Sequence, residues 1–193
     1  MSTLMARAQR RRNRGEKGAV LVELAMVTPL LIMLVMGIID FGMMFSERIS
    51  MRGGVREADW NASRGMLGSA DGCTLTFAGP VPTVATQRVM CLAKDRSELP
   101  EANFRVKVRL VNLDTPATPG TGAVGEGIMV CAMRPARSTT GFFSLLLNSR
   151  VQEARLTNVI IAVDTANPIT NGEEQALPGR DWSWCDPTQP LPT

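Results

Sequence analysis

Histidine is absent from all 193 residues. That excludes Ser-His-Asp and Cys-His catalysis, imidazole acid/base chemistry and the usual zinc ligand sets. Lysine is scarce, present only at Lys17, Lys94 and Lys107, and no Ser-x-x-Lys pattern or glycine-rich phosphate loop accompanies it. The cysteines form no C-x-x-C pair, so with histidine missing they do not make a metal site. Internal repeats are also lacking. Neither an enzyme nor a cofactor is expected from this composition.

What is present divides unevenly along the chain. Residues 1–18 carry Arg7, Arg10, Arg11, Arg12, Arg14 and Lys17 against Glu16 alone. Without them the remainder holds 15 basic and 17 acidic residues, so the formal charge of +3 belongs to a leader. It is not a nucleic-acid footprint, and no direct nucleic-acid partner is expected. Hydrophobic content of 45% and mean hydropathy near zero fit neither a polytopic membrane protein nor a disordered chain. The length allows one membrane segment and one domain of about 130–150 residues.

Ala19 to Ile39 is the apolar stretch, with Glu23 its sole charge. At about 1.5 Å per residue it spans roughly 31 Å as a helix, close to a bilayer's hydrocarbon thickness. A buried core helix would show a polar stripe, and none is visible. A secretory signal peptide is the competing reading, but the run exceeds the usual apolar core of about 7–15 residues. No small-x-small cleavage site follows it; Asp40-Phe41-Gly42 leads into more helix-like sequence. Six basic residues precede the run, and Arg48, Arg52 and Arg56 follow within a comparable distance. The positive-inside rule then puts the N-terminus in the cytoplasm and residues 41–193 outside. Pro29, after Thr28, is expected to kink or loosen the helix. Glu23 costs on the order of 2.5–3.5 kcal/mol if placed centrally in a membrane, less near an interface. The plain account is that it snorkels to the headgroups or is protonated.

The Gly18-Ala19 junction behind a basic leader, Glu23 as the fifth residue after it and one long apolar helix resemble a type IV prepilin start. The longer run adds Glu23-Leu24-Ala25, Pro29 and Asp40-Phe41-Gly42, and is similar to the TadE family of minor pilins or pseudopilins of the Flp/Tad pilus. Leu24 stands where that family has an aromatic. The resemblance implies cleavage after Gly18 by a prepilin peptidase. It also implies assembly with other pilins through the N-terminal helix, contact with the Tad inner-membrane platform and membrane lipid, and residence in the cytoplasmic membrane or a surface pilus. It gives Glu23 a role as well. Cleavage leaves an amine on Ala19 about one helical turn away, and in a bundle the carboxylate could pair with a neighbour's amine. The rival is an unprocessed single-pass anchor whose exterior domain binds a ligand or wall polymer.

Beyond the span, Phe41, Met44, Phe45, Met51, Val55, Ala58 and Ala62 share one broad face, with Glu47, Arg48, Arg52, Arg56 and Asp59 mostly elsewhere. One helix is expected from near Ala19 to about Ser63, with Gly53-Gly54 as its point of weakness. Its methionine stripe reads as core, or as a partner surface. Arg64 to Pro82 is turn-rich, with Gly65, Gly68, Gly72, Gly79, Pro80 and Pro82. Val84–Lys94 reads equally as helix or strand. Phe104–Val111 alternates as a half-buried strand, with Arg105, Lys107 and Arg109 as a solvent face or a contact for an acidic polymer. A long loop then leads to a second strand at Ile128–Met133. Thr140–Leu147 is expected as a short helix covering the sheet, or as a surface lying on the membrane. Arg155–Val163 reads as a further strand, followed by a loop-rich or disordered tail.

Cys73, Cys91, Cys131 and Cys185 all fall in the exterior part, where disulfides fit and free buried thiols are the alternative. Three pairings exist; sequence neighbours pair most simply, as Cys73–Cys91 and Cys131–Cys185. The architecture expected is α+β: leader 1–18, transmembrane helix 19–40, amphipathic extension 41–64 and an extracytoplasmic domain 65–193 with a small antiparallel sheet.

Overall fold

The computed structural model describes residues 2–68 and 73–189, with side chains described from Gly18 onward. The leader side chains Arg7 to Lys17, Gly72 and the last four residues of the tail lie outside the described residues. The element order is α1 (Ser2–Ser63), α2 (Val84–Ser97), β1 (Arg105–Val111), β2 (Gly127–Pro135), α3 (Ser144–Leu147), β3 (Val151–Val159) and β4 (Gly172–Glu173). The class is α+β: one long N-terminal helix and a four-stranded antiparallel sheet in the order β3-β2-β1-β4.

Pro29 lies inside α1 and the helix continues through it. Its missing N–H is tolerated, and the neighbouring Thr28 hydroxyl donates to the Leu24 carbonyl at 2.6 Å. Nor does α1 break at Gly53-Gly54. Gly54 is a notch for α2: a Cβ there would lie 2.5 Å from the Ala93 carbonyl oxygen and 2.7 Å from the Ser97 nitrogen. Gly53 faces open space. The two glycines therefore predict opposite results. Gly54→Ala should destabilise by about 1–3 kcal/mol, because the gap is closed by rigid backbone. Gly53→Ala should stabilise by up to about 1 kcal/mol through helix propensity alone. Urea midpoints of the two variants check this, and equal signs would sink the notch assignment.

The outer half of α1 packs Met51, Val55, Ala58 and Ala62, all fully buried, with Val89, Met90 and Ala93 of α2 on one face of the sheet. Phe41 and Phe45 do not join them and are exposed, so the core-facing stripe starts later than its spacing suggests. Asp59, expected on the polar side, is buried as well. The segment at Val84 is helical, with the Thr83 hydroxyl accepting from the Thr86 N–H at its start.

The opposite face of the sheet departs from expectation. Alternation along β1 marks Arg105, Lys107 and Arg109 as a solvent face, but the C-terminal segment covers it. Val111, Met129, Cys131 and Met133 pack there with Trp182 and Cys185. Lys107 meets Glu173 at 2.6 Å, Arg109 meets Asp186 at 2.6 Å, and Arg105 is half-buried. The partners lie more than sixty residues downstream, beyond the reach of a local pattern. The tail is thus irregular but packed. Cys131–Cys185 ties it to β2, and Cys73–Cys91 ties the turn-rich segment to α2.

Two boundaries also shift. The third strand runs Val151–Val159, earlier than expected, because it pairs with β2 from Pro135 back to Gly127; past that the Ile160 N–H donates to the Glu126 carbonyl and the Ile161 N–H turns to the Ser63 carbonyl at the end of α1. Thr140–Leu147 yields only the single turn of α3, and Phe143 at its start packs beside Phe41 of α1.

Candidate functional site

Two groups of candidate residues lie on α1, one at each end of its apolar run. At the near end Gly18, Ala19 and Glu23 are exposed, and nothing approaches Gly18 within 4 Å of a built Cβ. From Ala19 through Val35 no described side chain is buried, and large apolar groups such as Leu21, Leu24, Met26 and Leu30 are more than half exposed. A helix that leaves this much apolar surface open is stabilised only when lipid or other helices cover it. Glu23 lies on that open wall, about one turn from Ala19.

At the far end, about 26 Å along the axis from Glu23, the helix meets the folded domain. β2 and β3 form a hairpin whose connecting loop is closed at its base by the Ala136 N–H donating to the Arg150 carbonyl at 2.9 Å. Asp40 holds this loop. Its Oδ1 accepts from the Thr139 and Thr140 N–H groups at 2.9 and 2.8 Å, and its Oδ2 from the Ser138 and Thr140 hydroxyls at 2.5 and 2.8 Å. The carboxylate has no solvent exposure, and four donors compensate its burial. One turn on, the Gln152 amide donates to the Met44 carbonyl at 3.2 Å; a further turn on, Arg134 meets Glu47 at 3.2 Å. Arg134 and Gln152 are register partners on β2 and β3. Helix positions 40, 44 and 47 thus form one polar line facing the hairpin, the i, i+4, i+7 spacing of a single helix face.

Apolar contacts complete the junction. The Phe143 ring lies 5.8 Å from that of Phe41, and a Cβ on Gly37 would come within 3.3 Å of it. The Gly37 notch admits the ring. Neither Asp40 nor Glu47 is marked in the sequence as a contact. The available signal was two acids seven apart on one face, just past an apolar run.

A third feature lies higher on α1, where Gly53, Arg56, Asp59 and Trp60 face Leu156 and Asn158 across a cleft of about 600 Å³. Burial pushes the Asp59 carboxyl up to about 7, partly opposed by the neighbouring Asn158 side chain. Holding its proton at mildly acidic pH lowers the cost of placing Asp59 between helix and sheet.

The whole is an α+β domain carried on one helix long and apolar enough to cross a membrane. The family model described as TadE-like protein matches residues 18–58, from the glycine of the junction to the buried face of α1. That segment of the chain is similar to the TadE-like family, and the match ends before α2 and the sheet. No curated protein and no solved structure matches the chain.

Proposed function

We propose that this protein is a minor pilin or pseudopilin that takes part in assembly of a Tad/Flp-type pilus and has no catalysis of its own. It is held in the cytoplasmic membrane by residues 19–40, with the leader inside and residues 41–193 outside. A prepilin peptidase cuts between Gly18 and Ala19, and the mature helix then packs with other pilins and with the Tad inner-membrane platform. The observation that carries this reading is the coincidence of two features. The TadE-like match begins at Gly18, and the helix that follows keeps its apolar wall and its one carboxylate uncovered.

Physical chemistry supplies the assembly step. Two opposite charges in a low-dielectric bundle are each costly alone and much less so when paired. The new amine of Ala19 and the Glu23 carboxylate of a neighbouring helix form such a pair when helices stack with a small axial offset. N-terminal sequencing of the membrane-purified protein should begin at Ala19. A start upstream would instead support an unprocessed anchor. Glu23→Ala should lower processing, or the yield of co-purified pilins, by about tenfold or more, the equivalent of losing roughly 1.4 kcal/mol or more. Unchanged cleavage together with unchanged co-purification would remove the assignment.

A further inference from the structure

We propose that the hairpin loop 137–149 is a second membrane contact, a wedge that places Phe142, Leu145 and Leu146 in the outer leaflet beside the exit of α1. Leu145 is 92% exposed, Leu146 62% and Phe142 52%. Three large apolar side chains in five residues make a compact apolar tip that the chain's own core leaves uncovered.

The depth of the tip follows from what it touches. Phe143, between these residues, fills the notch at Gly37, inside the apolar run that ends at Ile39. The loop therefore lies level with the last turn of the span. Four of its polar donors are spent inward: the Ser138 and Thr140 hydroxyls and the Thr139 and Thr140 N–H groups all donate to Asp40. This hides the first charge after the run, and at the tip of the loop Phe142, Leu145 and Leu146 are the large exposed side chains, with Asn148 and Ser149 nearer its base. Ile38, Phe41 and Phe45 continue the exposed apolar surface on the helix beside it. Arg137 and Arg150 are exposed at the base of the loop, where long cationic side chains reach lipid phosphates while the tip lies deeper. Continuity with the apolar helix favours lipid over a second protein chain as the occupant. The wedge gives the domain two attachments to the bilayer and so fixes its tilt, which a single helix does not.

The proposal rests on α1 crossing a bilayer, and its test measures that separately. The full chain is reconstituted at one copy per nanodisc of phosphatidylethanolamine and phosphatidylglycerol. A nitroxide is attached at Leu145→Cys, the native cysteines being paired, and its accessibility to oxygen and to a water-soluble nickel chelate is compared with Leu34→Cys in the helix and Val81→Cys on the domain. The label at 145 should match that at 34, with an oxygen-to-nickel ratio several-fold above that at 81. A label at 145 as nickel-accessible as that at 81, with 34 in lipid, overturns the wedge alone. Nickel access at 34 overturns the span and the wedge together. Protection at 145 that appears only with two or more copies per disc also overturns it, assigning the surface to a subunit contact.

Discussion

Lys94→Met is expected to destabilise the folded domain by about 3–5 kcal/mol, the usual cost of stranding one member of a buried ion pair. The Lys94 ammonium lies 2.7 Å from Glu174 Oε1, and neither side chain has any solvent exposure. A second N–H of the ammonium donates to the Thr74 carbonyl at 2.8 Å. The carboxylate is equally engaged: Oε2 accepts from the Val106 N–H at 2.8 Å, and Oε1 lies 3.4 Å from the Thr76 nitrogen that donates to it. One pair thereby joins α2, the edge of β1, the segment after Cys73 and the end of β4. Methionine fills the lysine's volume but leaves the anion without a counter-charge. Adding Glu174→Gln removes that charge and keeps one acceptor oxygen, enough for the Val106 N–H at the loss of the longer Thr76 contact, so the double variant should be more stable than Lys94→Met alone. Denaturant midpoints followed by tryptophan emission in a Trp60→Phe, Trp184→Phe background report on it, since the remaining Trp182 indole N–H donates to the Glu174 carbonyl at 2.9 Å. A single-variant loss under about 0.5 kcal/mol would show the pair to be solvated and the argument wrong.

This pair also marks where sequence reading stops. The long helix was legible because an apolar run and a 3.6-residue period are local properties, and β1 was legible because alternation is local too. Nothing near Lys94 distinguishes it from a solvated lysine in the last turn of a helix; its partner is 80 residues away. The same limit explains Arg109, whose alternation suggests solvent while Asp186 covers it. Asp40 stands in Asp40-Phe41-Gly42, part of the TadE resemblance, but its donors on residues 138–140 follow only from the fold. Glu23 is the reverse case. Its meaning came from the spacing to Gly18, whereas in the structure it is an exposed carboxylate on an open wall.

Removing Cys131–Cys185 by a double alanine substitution should cost about 4 kcal/mol, against roughly 3 kcal/mol for Cys73–Cys91, if closure of the unfolded chain dominates. The first bridge spans 54 residues and the second 18. The larger loss has a structural component as well. Cys131 and Cys185 are both fully buried, and the bridge is the covalent tie between the irregular tail and the central strand. Without it the cover over Val111, Met129 and Met133 relies on Trp182 and on ion pairs such as Arg109–Asp186. Those exposed or half-exposed pairs contribute little by themselves. The variant lacking Cys131–Cys185 should therefore lose tail packing before the domain unfolds. Its tryptophan emission should shift to the red at a lower denaturant concentration than the loss of far-ultraviolet dichroism. The variant lacking Cys73–Cys91 should keep the two transitions together. Coincident transitions in both, with equal losses, would mean that the tail is held by its side chains and that the bridge merely follows a fold already made.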